Sequence, residues 1–314
     1  NIKIFNNYNS LHYILKKKAD YVMSAISGID GLVPTVKIIK HTKKIAIANK
    51  ESIICGWNII NKELKENNTE FMPVDSEHFS LWYGMNCLKT SSIEKIYITA
   101  SGGPFYKTPL NDFNKIKVSQ ALNHPNWKMG KKISTDSATM INKIYEVIEA
   151  KNIFNISYNK IDILIHPKSY VHAILKFTNG MSKLIVHDTT MMIPIFNTIF
   201  FNSTNKIKSK KLNILSLNNL DLKKVNSKRF PMFNLLKLLP PKHSLFETVI
   251  VSANDKLVEL FLEKKIDFVD IQKKLFKIIK KKEFLKFKKK SPKNIKEISD
   301  LNKYVRLKIR QNSI

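Results

Sequence analysis

The sequence predicts an α/β protein with a Rossmann-like first part, a second α/β part and a helical C-terminal part. Three observations carry this. A strand, a glycine-marked turn, a helix-length segment and a second strand follow one another between Ala19 and Asn49. More short apolar runs bounded by turn signals come between Lys95 and Asp188. Beyond Pro231 the apolar residues recur with helical period.

The elements follow in order. "ADYVMSAI" (Ala19 to Ile26) and "KKIAIAN" (Lys43 to Asn49) read as buried strands. Between them "SGIDGLVPTVKIIKH" supplies glycine turns and then a helix, making a βαβ unit and so a parallel sheet. "KIYITA" (Lys95 to Ala100) is a strand that runs into "SGGPF". "KIDILIHP", "YVHAILKFTNG" and, after the Asn179-Gly180 turn signal, "GMSKLIVHD" predict three more strands. Ser203 to Ser227 is weakly patterned and reads as a linker with marginal strands. The segment "SLFETVIVSANDKLVELFLEKKIDFVDIQKKLFKIIKKK" predicts amphipathic helices with lysine faces. No internal repeat is visible.

Composition bounds the function. With 314 residues and 43% hydrophobic content there is material for a sizeable core and two or three domains. Two cysteines, Cys55 and Cys87, cannot build a disulfide framework, which fits a reducing compartment. The most apolar window, "MMIPIFNTIFF", is too short to cross a bilayer and is cut by Pro194 and Asn197, so no membrane partner is expected. The chain opens on Asn1 with no initiator Met, so targeting is not judged from it. Lys+Arg number 54 against 25 Asp+Glu, a net charge of +29, which invites a nucleic-acid reading. Only three of the basic residues are Arg (Arg229, Arg306, Arg310), however, and readers of bases and phosphates favour Arg's bidentate fork. The abundance of Lys, Asn, Ile and Phe follows A/T-rich codons more simply than it follows a ligand. The run "KKLFKIIKKKEFLKFKKK" reads as the solvated face of amphipathic helices, and no nucleic-acid partner is expected.

Acids are scarce, yet "FMPVDSEHFSLW" places Asp75 and Glu77 one residue apart. In an extended segment residues i and i+2 point the same way, so both carboxylates aim at one point while Ser76 faces away. Hard oxygens at that spacing suit Mg²⁺ or Mn²⁺; the alternative is a solvated acidic turn paired with lysines. In "HPNWKMGKKISTDSATMINKIYEVIEA" the N-cap reads as Asp136 or Ser137. On the helix that follows, Met140, Ile141, Ile144, Val147 and Ile148 share an apolar arc, and Thr139, Asn142, Lys143, Glu146 and Glu149 the opposite one. Asn142, Lys143 and Glu146 converge at i,i+3 and i,i+4 spacing. Ser137 at a helix N-terminus, with Asn142 and Lys143, suits a phosphate, and Glu146 offers a third carboxylate. A Lys–Glu solvent face is the alternative. Ser101 in "TASGGPF" closes a strand, where open α/β sheets bind ligands, or else marks a structural turn. The loop "HPNWKMG", with His124, Trp127 and Met129, reads as a water-excluding lid or as an aromatic anchor.

Taken together, "NKES" (Asn49 to Ser52), "PVDSEH", "SGGPF", "HPNWKMGKK" and "DSATMINK..E" closely resemble the 1-deoxy-D-xylulose 5-phosphate reductoisomerase family. The resemblance runs from about Ala19 to Asp270, with "SANDKLVELFLEKKIDFVDI" similar to the family's C-terminal helical segment. Ile144 departs from the glycine usual after the Asn-Lys pair, and the family's glycine-rich NADPH loop is expected upstream of Asn1. The resemblance implies an enzyme that rearranges 1-deoxy-D-xylulose 5-phosphate and reduces the resulting aldehyde with NADPH, giving 2-C-methyl-D-erythritol 4-phosphate in isoprenoid precursor synthesis. It implies Mn²⁺ or Mg²⁺ on Asp75, Glu77 and Glu146, and Lys50, His124 and Lys143 as catalytic residues. Lys50, Ser76, Glu77, Ser101, His124, Ser137, Asn142, Lys143 and Glu146 are expected to contact the sugar phosphate. Ser101, His124, Ser137, Asn142 and Lys143 are expected at its phosphate end. Asn49, Glu51 and Gly130 are expected along the nicotinamide cofactor, with Trp127 and Met129 as lid.

The expected divisions are the C-terminal part of an NADPH-binding domain (1–75), a catalytic domain (76–202), a linker (203–227) and a helical domain (228–314). The family also implies a homodimer, in the bacterial cytoplasm or in a plastid. Lacking the dinucleotide loop, these 314 residues are expected to bind Mn²⁺ and substrate but NADPH only weakly. Two other classes fit parts of the sequence: a basic nucleic-acid-binding protein, and another NADP-dependent, metal-assisted dehydrogenase of a phosphorylated precursor.

Overall fold

The computed structural model describes residues 4, 7–86, 88, 90–201 and 203–311; Asn1, Cys87 and the domain limit at Asn202 lie outside the described residues. Strands β1 (Ala19–Ser24), β2 (Thr42–Ile47) and β3 (Glu70–Pro73) form a parallel sheet in that order. Helices α1 (Leu32–Ile39) and α2 (Lys50–Glu66) make the crossovers. The first βαβ unit is the one the sequence predicts. The second was hidden, because β3 is only four residues long and α2 begins inside the "NKES" motif. Ile53, Ile60 and Leu64 of α2 are buried, and its first turn emerges from the C-terminal end of β2.

Asn49 caps α2, its Oδ1 accepting the Ser52 N–H at 2.6 Å, while its amide donates to the carbonyls of Ile26 and Gly28. This ties the β1–α1 turn to the start of α2. Gly31 lies against that tie. A Cβ there would meet the Ile26 carbonyl at 2.3 Å and the Asn49 amide at 2.5 Å.

The second sheet has the order β7-β6-β4-β5-β8, from β4 (Ile93–Ala100), β5 (Ile161–Ile165), β6 (Val171–Phe177), β7 (Ser182–Val186) and β8 (Lys223–Lys224). Strands β4 and β5 are parallel and the other pairs antiparallel. The β6–β7 hairpin turns at Asn179-Gly180, with Gly180 at φ +88°. Helix α3 (Ser76–Met85) packs on β6 and β7. Before β5 come α4 (Lys131–Thr139) and α5 (Ile141–Phe154), and after β7 comes α6 (Met192–Ile199). The stretch read as a linker carries β8 and also a short helix, Ile214–Asn218.

The C-terminal part is helical as expected, with α7 (Leu245–Leu262), α8 (Phe268–Ile279) and α9 (Ile295–Gln311). Ser244 and Glu247 form a capping box at the start of α7. On α8, Phe268, Ile271, Leu275 and Ile279 are buried while Lys273, Lys277 and Lys280 face solvent. The lysine run is thus a solvated helix face. One apolar core joins α1, α2, α5 and the C-terminal helices, from Ile29 to Ile309; a second lies between α5 and the mixed sheet. Helix α5 is therefore buried on two sides.

Gly31→Ala is expected to lower stability by about 2 kcal/mol or more, the cost of overpacking a site with no room. It should also displace Asn49 and reduce activity. A melting temperature and turnover equal to wild type would show that the Asn49 tie is not structural.

Candidate active site

Asp75 is not in an extended segment. It is the N-cap of α3, with φ −53° and ψ 135°, and Glu77 lies in the helix's first turn. The two carboxylates converge because the chain turns from β3 into a helix, not through strand alternation. Ser76 does not face away: its hydroxyl donates to Glu77 Oε2 at 2.6 Å and it lines the same cavity. An acid at the N-cap or in the first turn is favoured by the local backbone, which helps to hold these charges out of bulk water.

The second half of the site also differs from the sequence reading. Asp136 and Ser137 are not N-caps; they lie within α4. The helix breaks at Met140, which adopts a left-handed conformation (φ 67°), and α5 starts at Ile141. The break puts Asn142 and Lys143 in the first turn of a new helix and brings Ser137, on the preceding one, to the same cavity. A helix N-terminus still faces the cavity, one break later than expected. Gly103 permits the approach of the "SGGPF" loop: it has φ +67°, and a Cβ would meet the Ser137 carbonyl at 2.9 Å.

The polar arc of α5 is buried, which excludes the solvent-face alternative. Lys143 Nζ donates to Glu146 Oε2 at 2.5 Å and to Glu77 Oε1 at 2.7 Å. Asn142 Nδ2 donates to Glu146 Oε1 at 2.6 Å. Lys50 bonds Asp75 and lies 3.6 Å from Glu146 and 3.9 Å from Glu149. Asp75, Glu77 and Glu146 each bring an oxygen within 4.8 Å of the others.

Behind them His78 is fully buried. Its Nε2–H donates to the Glu146 carbonyl at 2.8 Å, and Nδ1 lies 3.5 Å from Asp75 and 3.8 Å from Glu149. Burial works against charge on His78, but Glu149 and Asp75 outweigh it and raise its pKa to about 9. Burial, with Glu77, pushes Glu146 up to about 8 against the pull of Lys143; burial pushes Glu149 up to about 7 against His78. Burial resists the charge on Asp75 too, yet Lys50 and His78 hold it well below the usual carboxylate range.

On the far wall Ser101 Oγ and His124 Nε2 are 3.2 Å apart. His124 Nδ1 accepts the N–H of Asn126 (3.2 Å) and of Trp127 (3.0 Å), so the proton is on Nε2 and His124 donates to Ser101. Burial, with Lys143, lowers its pKa to about 4, so the ring is neutral. Asn126 Nδ2 donates to the Pro167 carbonyl and to Ser169 Oγ at 2.8 and 2.9 Å, fastening the loop to the β5–β6 connection. Trp127 lies edge-on to His172, with ring centres 6.3 Å apart.

These groups enclose a cavity of about 230 Å³. Lys50, Asp75, Ser76, Glu77, Ser101, His124, Trp127, Met129, Ser137, Asn142, Lys143 and Glu146 all line it. Asn49, Glu51 and Gly130 do not. Asn49 is engaged as a cap, Glu51 is paired with Lys132, and Gly130 precedes α4. Sequence reasoning missed Ser169, His172 and Met191 on the wall, and gave no role to His78 of the "PVDSEH" motif or to Glu149 of the polar arc, which stand behind it. On the wall, His172 left a signal, a polar residue interrupting the apolar start of a strand.

The chain matches three family profiles. They are DXP reductoisomerase over residues 1–56, the 1-deoxy-D-xylulose 5-phosphate reductoisomerase C-terminal domain over 71–154, and the DXP reductoisomerase C-terminal domain over 187–308. A 1-deoxy-D-xylulose 5-phosphate reductoisomerase of Pelagibacter ubique is 60% identical over 315 residues, covering 100% of this chain and 81% of that one. The chain belongs to the 1-deoxy-D-xylulose 5-phosphate reductoisomerase family. The reductoisomerase of Persephonella marina is 39% identical over 85% of this chain and 70% of its own. Among solved structures, that of the Zymomonas mobilis reductoisomerase in complex with NADPH is 30% identical. It superposes with a TM-score of 0.83 over 98% of this chain and 78% of that one. A reductoisomerase in complex with NADPH, fosmidomycin and magnesium is 28% identical, with a TM-score of 0.88 over 98% and 79%. Ile144, which departs from the reductoisomerase pattern, is fully buried in the main core on the side of α5 away from the acids.

The raised pKa values fix a sign. Glu146 binds its proton more tightly folded than unfolded, so its contribution to stability falls as pH rises from about 4.5 to 8; His78 acts the same way between about 6.5 and 9. Metal-free protein is expected to melt at a lower temperature at pH 9 than at pH 7. Glu146 contributes to that loss because its folded-state pKa lies within this range. Calorimetry of wild type and Glu146→Gln checks this: the variant should show the shallower slope, and equal slopes would place the titration elsewhere.

Proposed function

We propose that the chain converts 1-deoxy-D-xylulose 5-phosphate to 2-C-methyl-D-erythritol 4-phosphate with NADPH and a divalent cation, and that the cavity between α3, α4 and α5 is where it does so. One observation carries the reading: three hard carboxylate oxygens within 4.8 Å of one another share a cavity with a lysine-, serine- and asparagine-lined pocket for an anion.

Asp75, Glu77 and Glu146 would hold Mg²⁺ or Mn²⁺, whose preference for oxygen donors fits this set. A bound cation supplies Lewis-acid polarisation of the substrate's carbonyl and hydroxyl oxygens, and NADPH supplies the hydride. The side chains do the rest. Ser101, Ser137, Asn142 and Lys143 take the phosphate end, with the neutral His124 donating at its edge through Nε2–H. Ser76 contacts the sugar. Lys50 stays charged, because Asp75, Glu146 and Glu149 outweigh the cost of its burial, and its ammonium steadies oxyanion charge as it develops. Trp127 and Met129 cover the bound substrate and exclude water. Asn49, Glu51 and Gly130 border the cofactor from outside the cavity. In this reading residues 1–75 contribute to the cofactor domain, 76–202 carry the chemistry, 203–227 link, and 228–314 brace α2 and α4.

A homodimer, in a bacterial cytoplasm, completes the reading. Strand β7 is the edge of the mixed sheet and exposes Leu184, with Met181 just before it and Met192, Ile199 and Phe200 exposed nearby in the chain. An apolar sheet edge calls for a cover. Light scattering should give twice the chain mass, and Leu184→Glu should shift it toward monomer; a monomeric wild type would reject the dimer. No helix is long and apolar enough to cross a membrane among the described residues.

NADPH oxidation that requires both deoxyxylulose phosphate and Mn²⁺ or Mg²⁺ tests the function directly. Glu146→Gln is expected to keep the fold, weaken Mn²⁺ binding at least tenfold and cut turnover by at least about 100-fold, the loss of one of three charged ligands. Unchanged Mn²⁺ affinity in the folded variant would remove Glu146 from the metal. Because Glu146 must lose its proton to serve, apparent Mn²⁺ affinity should also rise with pH up to about 8.

A further inference from the structure

Outside the cavity one ammonium joins four helices. Lys132 stands in the first turn of α4, two residues after Gly130. Its Nζ lies 2.5 Å from Glu51 on α2, 2.9 Å from Asp136 on its own helix and 3.1 Å from Asp255 on α7. It also sits 5.4 Å from the centre of the Tyr145 ring on α5. Asn254 of α7 donates to Asp136 at 2.7 Å, a second bond between α7 and α4. Asp136 and Tyr145 are fully buried, and Asp255 is nearly so.

Three carboxylates around one ammonium are poor value as stability, since desolvating charges offsets most of their attraction. What such a hub does supply is a fixed relative position. The elements it joins are the ones that carry the site. Helix α2 opens with Lys50, whose neighbour Glu51 is one of the three partners. Helix α4 begins where the Trp127 loop ends and carries Ser137 in its last turn. The other end of that loop is held by His124 on Ser101. Lys132 thus anchors the loop's C-terminal end as His124 anchors its N-terminal end.

We propose that Lys132 is a positioning residue which, by holding Glu51, Asp136 and Asp255 together, keeps the end of the Trp127 loop and the Lys50 turn in one register against α7. Closure of the loop and placement of Lys50 are then set by the same contact. This rests on the reading that the cavity is the reductoisomerase site. A displacement of about 1 Å in such a frame is enough to cost 100-fold in rate.

The test compares wild type with Lys132→Met, Lys132→Arg and Asp255→Asn by steady-state kinetics, Mn²⁺ calorimetry and amide hydrogen exchange. In folded Lys132→Met, kcat/KM should fall about 100-fold and exchange across residues 124–136 should quicken at least tenfold. Mn²⁺ affinity should stay within about threefold, because none of Asp75, Glu77 and Glu146 touches Lys132. Lys132→Arg should recover at least tenfold in kcat/KM, its guanidinium reaching the same carboxylates. Asp255→Asn leaves Lys132 two carboxylates and should show the same pattern at about a tenth of the size; it decides the matter if Lys132→Met does not fold. Wild-type kinetics or wild-type loop exchange in a folded variant would overturn the proposal, as would Mn²⁺ affinity falling in step with kcat. If wild type itself fails to turn over deoxyxylulose phosphate, the functional reading falls, and loop exchange alone still decides the role of Lys132.

Discussion

Four carboxylates, Asp75, Glu77, Glu146 and Glu149, share one buried site with two ammoniums, Lys50 and Lys143. That surplus of negative charge away from water is the constraint to which the surrounding structure is built. Burial among other acids favours the protonated form, as the raised pKa values of Glu146 and Glu149 show despite their cationic neighbours. The fold limits this in three ways. Asp75 and Glu77 stand at the start of α3, where the helix favours acids. His78 bonds the backbone of α5 while facing Asp75 and Glu149, so the two acid-bearing helices are tied at the same place. Helix α5 packs its apolar arc into two cores, which leaves its polar arc nowhere to point but the cavity.

How much of this was legible in the sequence follows from the range of the forces involved. The first βαβ unit, the strands of the mixed sheet and the C-terminal helices were readable, because periodicity and turn residues act within a few positions. The residues of the cavity were readable too, but as clusters whose meaning depended on a compound pattern. Convergence of Asp75 and Glu77 was expected from an extended chain and is achieved by a strand-to-helix turn; spacing of two serves either geometry. The break at Met140 was not readable. Methionine is no helix breaker, yet Met140, buried in the core on the side of the mixed sheet, adopts the left-handed conformation. The roles of His78, Glu149 and Lys132 were not readable for a related reason. Each acts through partners 60 or more positions away or across a buried face that no local pattern reveals.

The lysine excess acts on the site from a distance. The helices that carry much of the +29 net charge, such as α8, turn it to solvent. It still creates a field. For a sugar phosphate or a dinucleotide phosphate that field is attractive and speeds encounter. For a divalent cation it is repulsive. The four acids must therefore overcome at short range what the surface opposes at long range. They can, because at physiological salt the surface field fades within about 8 Å while buried charges are screened far less. Lys50 and Lys143 then set the balance inside. Each is held between carboxylates that a cation would also claim. If Asp75, Glu77 and Glu146 hold the cation as proposed, their hold on both ammoniums would loosen, which would leave Lys143 freer for a phosphate and Lys50 for oxyanion charge. The acid cluster and the two lysines are thus coupled through the contacts they share.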